Sequence, residues 1–142
     1  MDRALRGPLE SQRILVVEDD PFIALDLQSI LEDAGATVVG PACEVSEAIS
    51  FIEGSKISAA VLDYRLQVGD TLPLARMLAE RHIPFVFETS DPESVARRYP
   101  GAIILAKPFR PDQLTSAVVA LLVRMQDGRF LADPISRFAA RS

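Results

Sequence analysis

Short continuous apolar runs alternate along this chain with longer segments whose apolar residues recur at helical spacing, the pattern of strands separated by helices. Ile14 to Val17 is the first such run, followed by the acidic triplet Glu18-Asp19-Asp20 and by Pro21. Ile23, Leu27, Ile30, Leu31 and Ala34 then recur one helical turn apart until Gly35, a natural C-terminal stop. Thr37 to Val39 predicts a second strand, and Val45, Ala48, Ile49 and Ile52 a second helix ending at Gly54. Ala59 to Leu62 is a third buried run that finishes on Asp63. A loop with Gly69 and Asp70 leads to a helix carrying Leu74, Met77 and Leu78, and Ile83 to Phe87 predicts the fourth strand. From Thr89 to Pro100 periodicity is weak, so any fourth helix is expected to be short. Ala102 to Ala106 predicts the fifth strand, and Leu114, Ala117, Val118, Leu121, Leu122 and Met125 a final amphipathic helix.

Five apolar strands joined through helices imply an α/β, doubly wound parallel sheet, because parallel strands need crossovers and right-handed crossovers place helices on both faces. Such sheets bind ligands outside the carboxyl ends of their strands. Strand one is followed there by Glu18, Asp19 and Asp20, strand three by Asp63, strand four by Thr89 and Ser90, and strand five by Lys107 and Pro108. Carboxylates converging on one edge repel one another unless a cation joins them, and hard oxygen donors suit Mg2+. A carboxylate can also attack phosphorus, and the acyl phosphate formed needs metal, ammonium and hydroxyl partners. Asp63, Lys107 and Thr89 supply that set. Asp20, directly before Pro21, reads better as a helix N-cap than as a ligand. His82 fits a helix end, where an imidazole complements the dipole, and Cys43 a small core or loop position.

Composition narrows the class. With 142 residues, 49% hydrophobic and 25% charged, the chain is sized for one globular domain. Fifteen Lys and Arg against twenty Asp and Glu give a net charge of −5, which disfavours a nucleic-acid groove. One cysteine allows no internal disulfide and no zinc cluster, and the longest apolar run, Ala117 to Val123, is too short to span a bilayer, so a cytoplasmic location is expected.

The ordered motifs ILVVEDD, VLDYRL, FVFETS and LAKPF resemble the receiver domain of two-component response regulators, over residues 13 to 126. The resemblance implies a flavodoxin-like sheet of order 2-1-3-4-5. It matches Glu18 and Asp19 to the acidic pair that holds Mg2+, and Asp63 to the aspartate phosphorylated by a histidine kinase or histidine phosphotransfer protein. Arg65 would give its backbone carbonyl to the metal, Thr89 matches the switch hydroxyl, and Lys107 the family's lysine, with a cis peptide to Pro108. Residues 1–12 would then be an N-terminal extension and 127–142 a C-terminal tail in which Phe130, Leu131, Ile135 and Phe138 could pack back. With so few residues after the last helix, output is expected to pass to a downstream protein partner or a homodimer, with no contact to nucleic acid or membrane.

Three departures stand out. Where the family usually has an aromatic residue in the fifth strand, this chain has Ile104. The segment from Thr89 to Lys107 is short and contains Pro92 and Pro100. The PFVFETS run is similar to stand-alone receivers with a Phe-Ala-Thr-Gly-Tyr motif, but Glu88 replaces the alanine and Asp91 the tyrosine. A carboxylate at the end of a buried strand is costly unless paired, which points to Arg97, Arg98 or a partner protein as its contact. Two rival readings are a Mg2+-dependent aspartyl-phosphate phosphatase, whose Asp-x-Asp spacing the Glu18-Asp19-Asp20 triplet lacks, and an interaction module that works without phosphorylation.

Overall fold

The computed structural model describes residues 7–65 and 71–126. Ten elements alternate strictly: β1 (Arg13–Val17), α1 (Pro21–Asp33), β2 (Thr37–Ala42), α2 (Val45–Gly54), β3 (Ala59–Asp63), α3 (Thr71–Glu80), β4 (Phe85–Thr89), α4 (Pro92–Arg98), β5 (Ile104–Ala106) and α5 (Pro111–Gln126). All strands pair in parallel in the order β2-β1-β3-β4-β5. The doubly wound sheet is therefore as expected, and its three central strands are buried along their whole length apart from Arg13.

Strand residues alternate between two apolar layers, since successive side chains leave opposite faces of a pleated strand. Leu15, Val17, Ala60, Leu62, Phe85 and Phe87 pack toward α2, α3 and α4, with Ala48, Leu74, Leu78 and Val95. Ile14, Val16, Ala59, Val61, Val86 and Leu105 pack toward α1 and α5, with Leu27, Leu31, Leu114 and Val118. Leu9 joins this second layer fully buried, and its N–H donates to the Ala34 carbonyl at 2.8 Å. Residues just before β1 are thus built into the core.

Local chemistry explains the boundaries. The Asp20 side chain accepts hydrogen bonds from the N–H groups of Phe22 and Ile23, and Pro21 occupies the first turn, so α1 starts with the cap read from sequence. β2 runs past Val39 to Ala42. Gly40 takes φ 98°, where an added Cβ would stand 2.7 Å from the Ala42 nitrogen and 3.0 Å from the Val16 oxygen, so glycine lets the strand bend tightly against β1. α4 has seven residues, bounded by Pro92 at its start and Tyr99 as C-cap. Its cap is the Asp91 carboxylate, which accepts from the Ser94 N–H at 3.3 Å. The peptides Gly40–Pro41 and Lys107–Pro108 are cis.

The loop around Gly69 and Asp70 and the tail 127–142 lie outside the described residues. No helix among the described residues is long and apolar enough to cross a membrane.

Candidate functional site

Continuing the α1/α5-facing alternation by one more step past the core places four ionisable groups in one row. Val16 leads to Glu18, Val61 to Asp63, Val86 to Glu88, and Leu105 to Lys107, each two residues further and hence on the same face. Register aligns them: Val16 pairs with Val61 and Val61 with Val86, while Asp63 lies directly opposite Glu88 and Glu88 opposite Leu105. The row closes into a pocket at the carboxyl edge of the sheet. Lys107 Nζ stands 3.3 Å from Glu18 Oε1, 3.6 Å from Asp63 Oδ1 and 3.8 Å from Glu88 Oε1.

Backbone contacts fix the frame around it. The Glu18 N–H donates to the Ala42 carbonyl at 2.9 Å, and the Asp20 N–H donates to Glu18 Oε2 at 3.0 Å. The Arg65 N–H donates to Asp63 Oδ1 at 3.1 Å. The Lys107 N–H donates to the Thr89 carbonyl at 2.8 Å, tying β5's end to β4's. Thr89, buried at the end of β4, accepts at its hydroxyl from the Asp91 N–H at 3.0 Å. Asp19 stands half-buried beside the row and lines a cavity of about 300 Å³ with Glu18, Pro21, Pro41 and Cys43. The sequence-derived set of Glu18, Asp63 and Lys107 is thus brought into contact, with Asp19, Arg65 and Thr89 on adjoining backbone.

Electrostatics within this row are extreme. Glu18, Asp63 and Glu88 are all buried, and their carboxylate oxygens lie within 4.8 Å of one another. Burial disfavours the charge on Glu18, but hydrogen bonds from the Glu88 and Asp63 carboxyls and the Asp20 N–H, with Lys107 nearby, hold it down to about 2. Asp63 is pushed up to about 7 by burial, by its hydrogen bond to Glu18 and by the Glu18 charge. Glu88 is pushed up to about 9 by burial and the same neighbour. Two anions cannot share a hydrogen bond, so these contacts require retained protons. Burial works against the Lys107 charge, but the carboxylates of Glu88, Asp63 and Glu18 outweigh it and raise the ammonium's pKa.

Glu88 is the residue whose setting the sequence misread. Its expected partners, Arg97 and Arg98, belong to α4, on the other side of the sheet; Arg98 Nη1 instead donates to the Tyr64 hydroxyl at 3.3 Å and its guanidinium lies 5.2 Å from the Tyr99 ring centroid. Among the described residues no backbone or side-chain donor hydrogen-bonds either Glu88 oxygen, and its neighbouring cation is Lys107. The signal that could have found this was the two-residue step from Val86. Ile104 packs with the α2/α3/α4 layer. The aromatic groups near it are Tyr64, edge-on to Phe87 at 5.5 Å and to Tyr99 at 6.2 Å, and Tyr99, stacked on Phe87 at 5.6 Å.

The profile of the response regulator receiver domain matches residues 14–119. The chain belongs to the response regulator receiver family. Among curated relatives it is 31% identical over 121 residues to the phyllosphere-induced regulator PhyR of Methylorubrum extorquens, covering 82% of this chain but 45% of PhyR. It therefore spans about half of that relative's length. The solution structure of SdrG from Sphingomonas melonis Fr1 is 40% identical with a TM-score of 0.69, covering 78% of this chain and 96% of SdrG. A receiver protein from Sinorhizobium medicae WSM419 is 33% identical with a TM-score of 0.70, covering 82% of this chain and 98% of that one. The chain thus carries the receiver fold of two-component signalling, and receivers as a family take Mg2+ and phosphoryl groups. The donor set here fits such a cation: all its ligand atoms are hard oxygens, and the carboxylates outnumber the single ammonium among them.

Proposed function

We propose that Asp63 accepts a phosphoryl group from a histidine kinase or histidine phosphotransfer protein, and that the phosphorylated pocket switches a protein-binding surface. The observation that carries this reading is the approach of the Lys107 ammonium to Asp63 at 3.6 Å in a pocket whose other groups are buried carboxylates. Glu18, Asp19, Asp63 and the Arg65 carbonyl are the groups proposed to hold Mg2+. When bound, the cation would offset the charge on the phosphoryl oxygens.

The chain's own residues do the rest. Asp63 is held by the Arg65 N–H at Oδ1, so its oxygens present a fixed direction to an incoming phosphorus. A new Asp63 O–P bond forms as the donor histidine's P–N bond breaks, and the imidazole leaves with the electron pair, taking its proton from solvent. Lys107 and the Thr89 hydroxyl then bind phosphoryl oxygens. Thr89 already accepts from the Asp91 N–H, the N-cap of α4, so recruiting its hydroxyl pulls on the start of that helix. Seven residues long, α4 is the smallest helical element to reposition. Repositioning it changes the face presented to a downstream protein or a second copy of this chain.

Incubation with Mg2+ and acetyl phosphate or a cognate kinase tests this. The wild type gains one phosphoryl group and Asp63→Asn gains none; label on Asp63→Asn, or steady turnover of a phosphate ester, overturns the assignment.

A further inference from the structure

The two residues that follow Asp63 hold α4 at both of its ends. At its start, Arg65 Nη2 stands 3.6 Å from Oδ2 of Asp91, the residue whose side chain caps the helix. At its end, Arg98 Nη1 donates to the Tyr64 hydroxyl at 3.3 Å, and Tyr99, the C-cap, lies edge-on to the Tyr64 ring. α4 has seven residues and, with its C-cap, buries two side chains, Val95 and Tyr99, one turn apart. So short a helix owes its position to tertiary contacts, and its end contacts are a large share of them.

The contact at the start also closes a ring with the pocket. The Arg65 N–H donates to Asp63 Oδ1 at 3.1 Å, and the Asp91 N–H donates to the Thr89 hydroxyl at 3.0 Å. One partner of the ion pair is therefore fastened to the proposed phosphoacceptor and the other to the hydroxyl proposed to grip the phosphoryl group. At 3.6 Å the pair is still open, beyond the length of a charge-assisted hydrogen bond. Resting on the function proposed above, we infer that Arg65 and Asp91 are positioning residues whose ion pair closes when Asp63 is phosphorylated and so transmits the event to the start of α4. Drawing the Thr89 hydroxyl toward Asp63 brings Asp91 with it through the N–H bond. It approaches a guanidinium whose own backbone Asp63 holds in place. Closure gives the phosphorylated form a contact that the resting form has only in part. With its far end held at Tyr64, α4 tilts.

Beryllofluoride, which mimics the phosphoryl group on a carboxylate, gives a direct readout in the full chain. Its affinity is measured at saturating Mg2+ for the wild type, Arg65→Met, Asp91→Asn and the two combined, at low salt and at about 1 M salt. Arg65→Met leaves the backbone carbonyl in place, and Asp91→Asn keeps a side chain that caps helices equally well. Each single variant also changes the charge near the arriving anion, and the double-mutant cycle cancels those separate effects. The expected coupling at low salt is roughly two- to fourfold: the double variant binds the mimic that much more tightly than the product of the single effects predicts. At high salt the coupling fades. Hydrogen exchange at the Val95 amide, which donates to the Asp91 carbonyl at 3.4 Å, is slowed by the mimic in the wild type and much less in the double variant. A pair that merely stabilises the fold would lower the melting temperature and leave the coupling in mimic affinity at zero, which overturns the inference. A coupling of opposite sign, or an exchange response equal in both proteins, overturns it too. Failure of the wild type to bind the mimic takes down the receiver reading and the inference together.

Discussion

Replacing Asp63 by Asn in the metal-free protein raises the melting temperature, and the rise depends on pH in a way the pocket dictates. Asp63 is 6% exposed, and burial with the Glu18 neighbour carries its carboxyl from 3.8 to about 7. A displacement of that size disfavours the anion by about 4 kcal/mol, at about 1.4 kcal/mol per factor of ten. Part of this is returned, because the proton on Asp63 is shared with Glu18, whose own carboxyl is held down to about 2. An expected net gain of about 1–3 kcal/mol remains, equivalent to roughly 3–10 °C in a domain of this size. The sign follows from linkage: a folded-state value above the unfolded one means that the folded protein keeps a proton the unfolded chain releases. Below about pH 4 both states are protonated and the penalty vanishes; it grows as pH rises and is complete above about 7. Thermal melts of the two proteins in a chelator at pH 5 and pH 8 therefore show a small gap at pH 5 and the full gap at pH 8. Titrating Mg2+ into the pH 8 samples stabilises the wild type and narrows the gap, because the cation favours the charged carboxylates. An Asp63→Asn variant that melts at or below the wild type at pH 8, or a gap equal at both pH values, refutes the reasoning.

Two further outcomes follow from the packing. Leu9→Ala removes a fully buried side chain next to β1 and lowers stability by about 3 kcal/mol in denaturant melts, as buried leucines do; a loss under about 1 kcal/mol would mean the segment before β1 is not part of the core. The chain's two tyrosines, Tyr64 and Tyr99, sit in one ring cluster against Phe87, and there is no tryptophan. Tyrosine emission thus reports on the residue after Asp63 and the C-cap of α4 together, and it changes when beryllofluoride loads the wild type; constant emission at saturation would separate α4 from the pocket.

Much of the fold was legible because each element carries its own period. Strands buried on both faces read as unbroken apolar runs, and Asp20-Pro21 marks the start of α1 in two independent ways. The end of β2 was missed because Gly40-Pro41 reads as a turn, whereas the strand passes through it to Ala42. The acidic pair, Asp63 and Lys107 were legible as a set, since each follows a strand and parallel strands deliver their ends to one edge. Local pattern could not supply the order of the strands, and therefore not who stands opposite whom.

Glu88 shows what that missing information hides. Judged by chain distance, its natural partners were the arginines of the helix that follows it. Judged by register, it lies against Asp63, and by alternation on the face of Val86, Leu105 and Lys107. Cross-strand neighbours of like charge destabilise a sheet, so Asp63 and Glu88 are tolerable side by side only with protons or a cation between them. Lys107 provides that cation at 3.6 Å and 3.8 Å. The same ammonium that makes the pair tolerable at rest is the one a phosphoryl group on Asp63 would recruit. Stability of the resting pocket and stability of the phosphorylated one therefore draw on a single side chain.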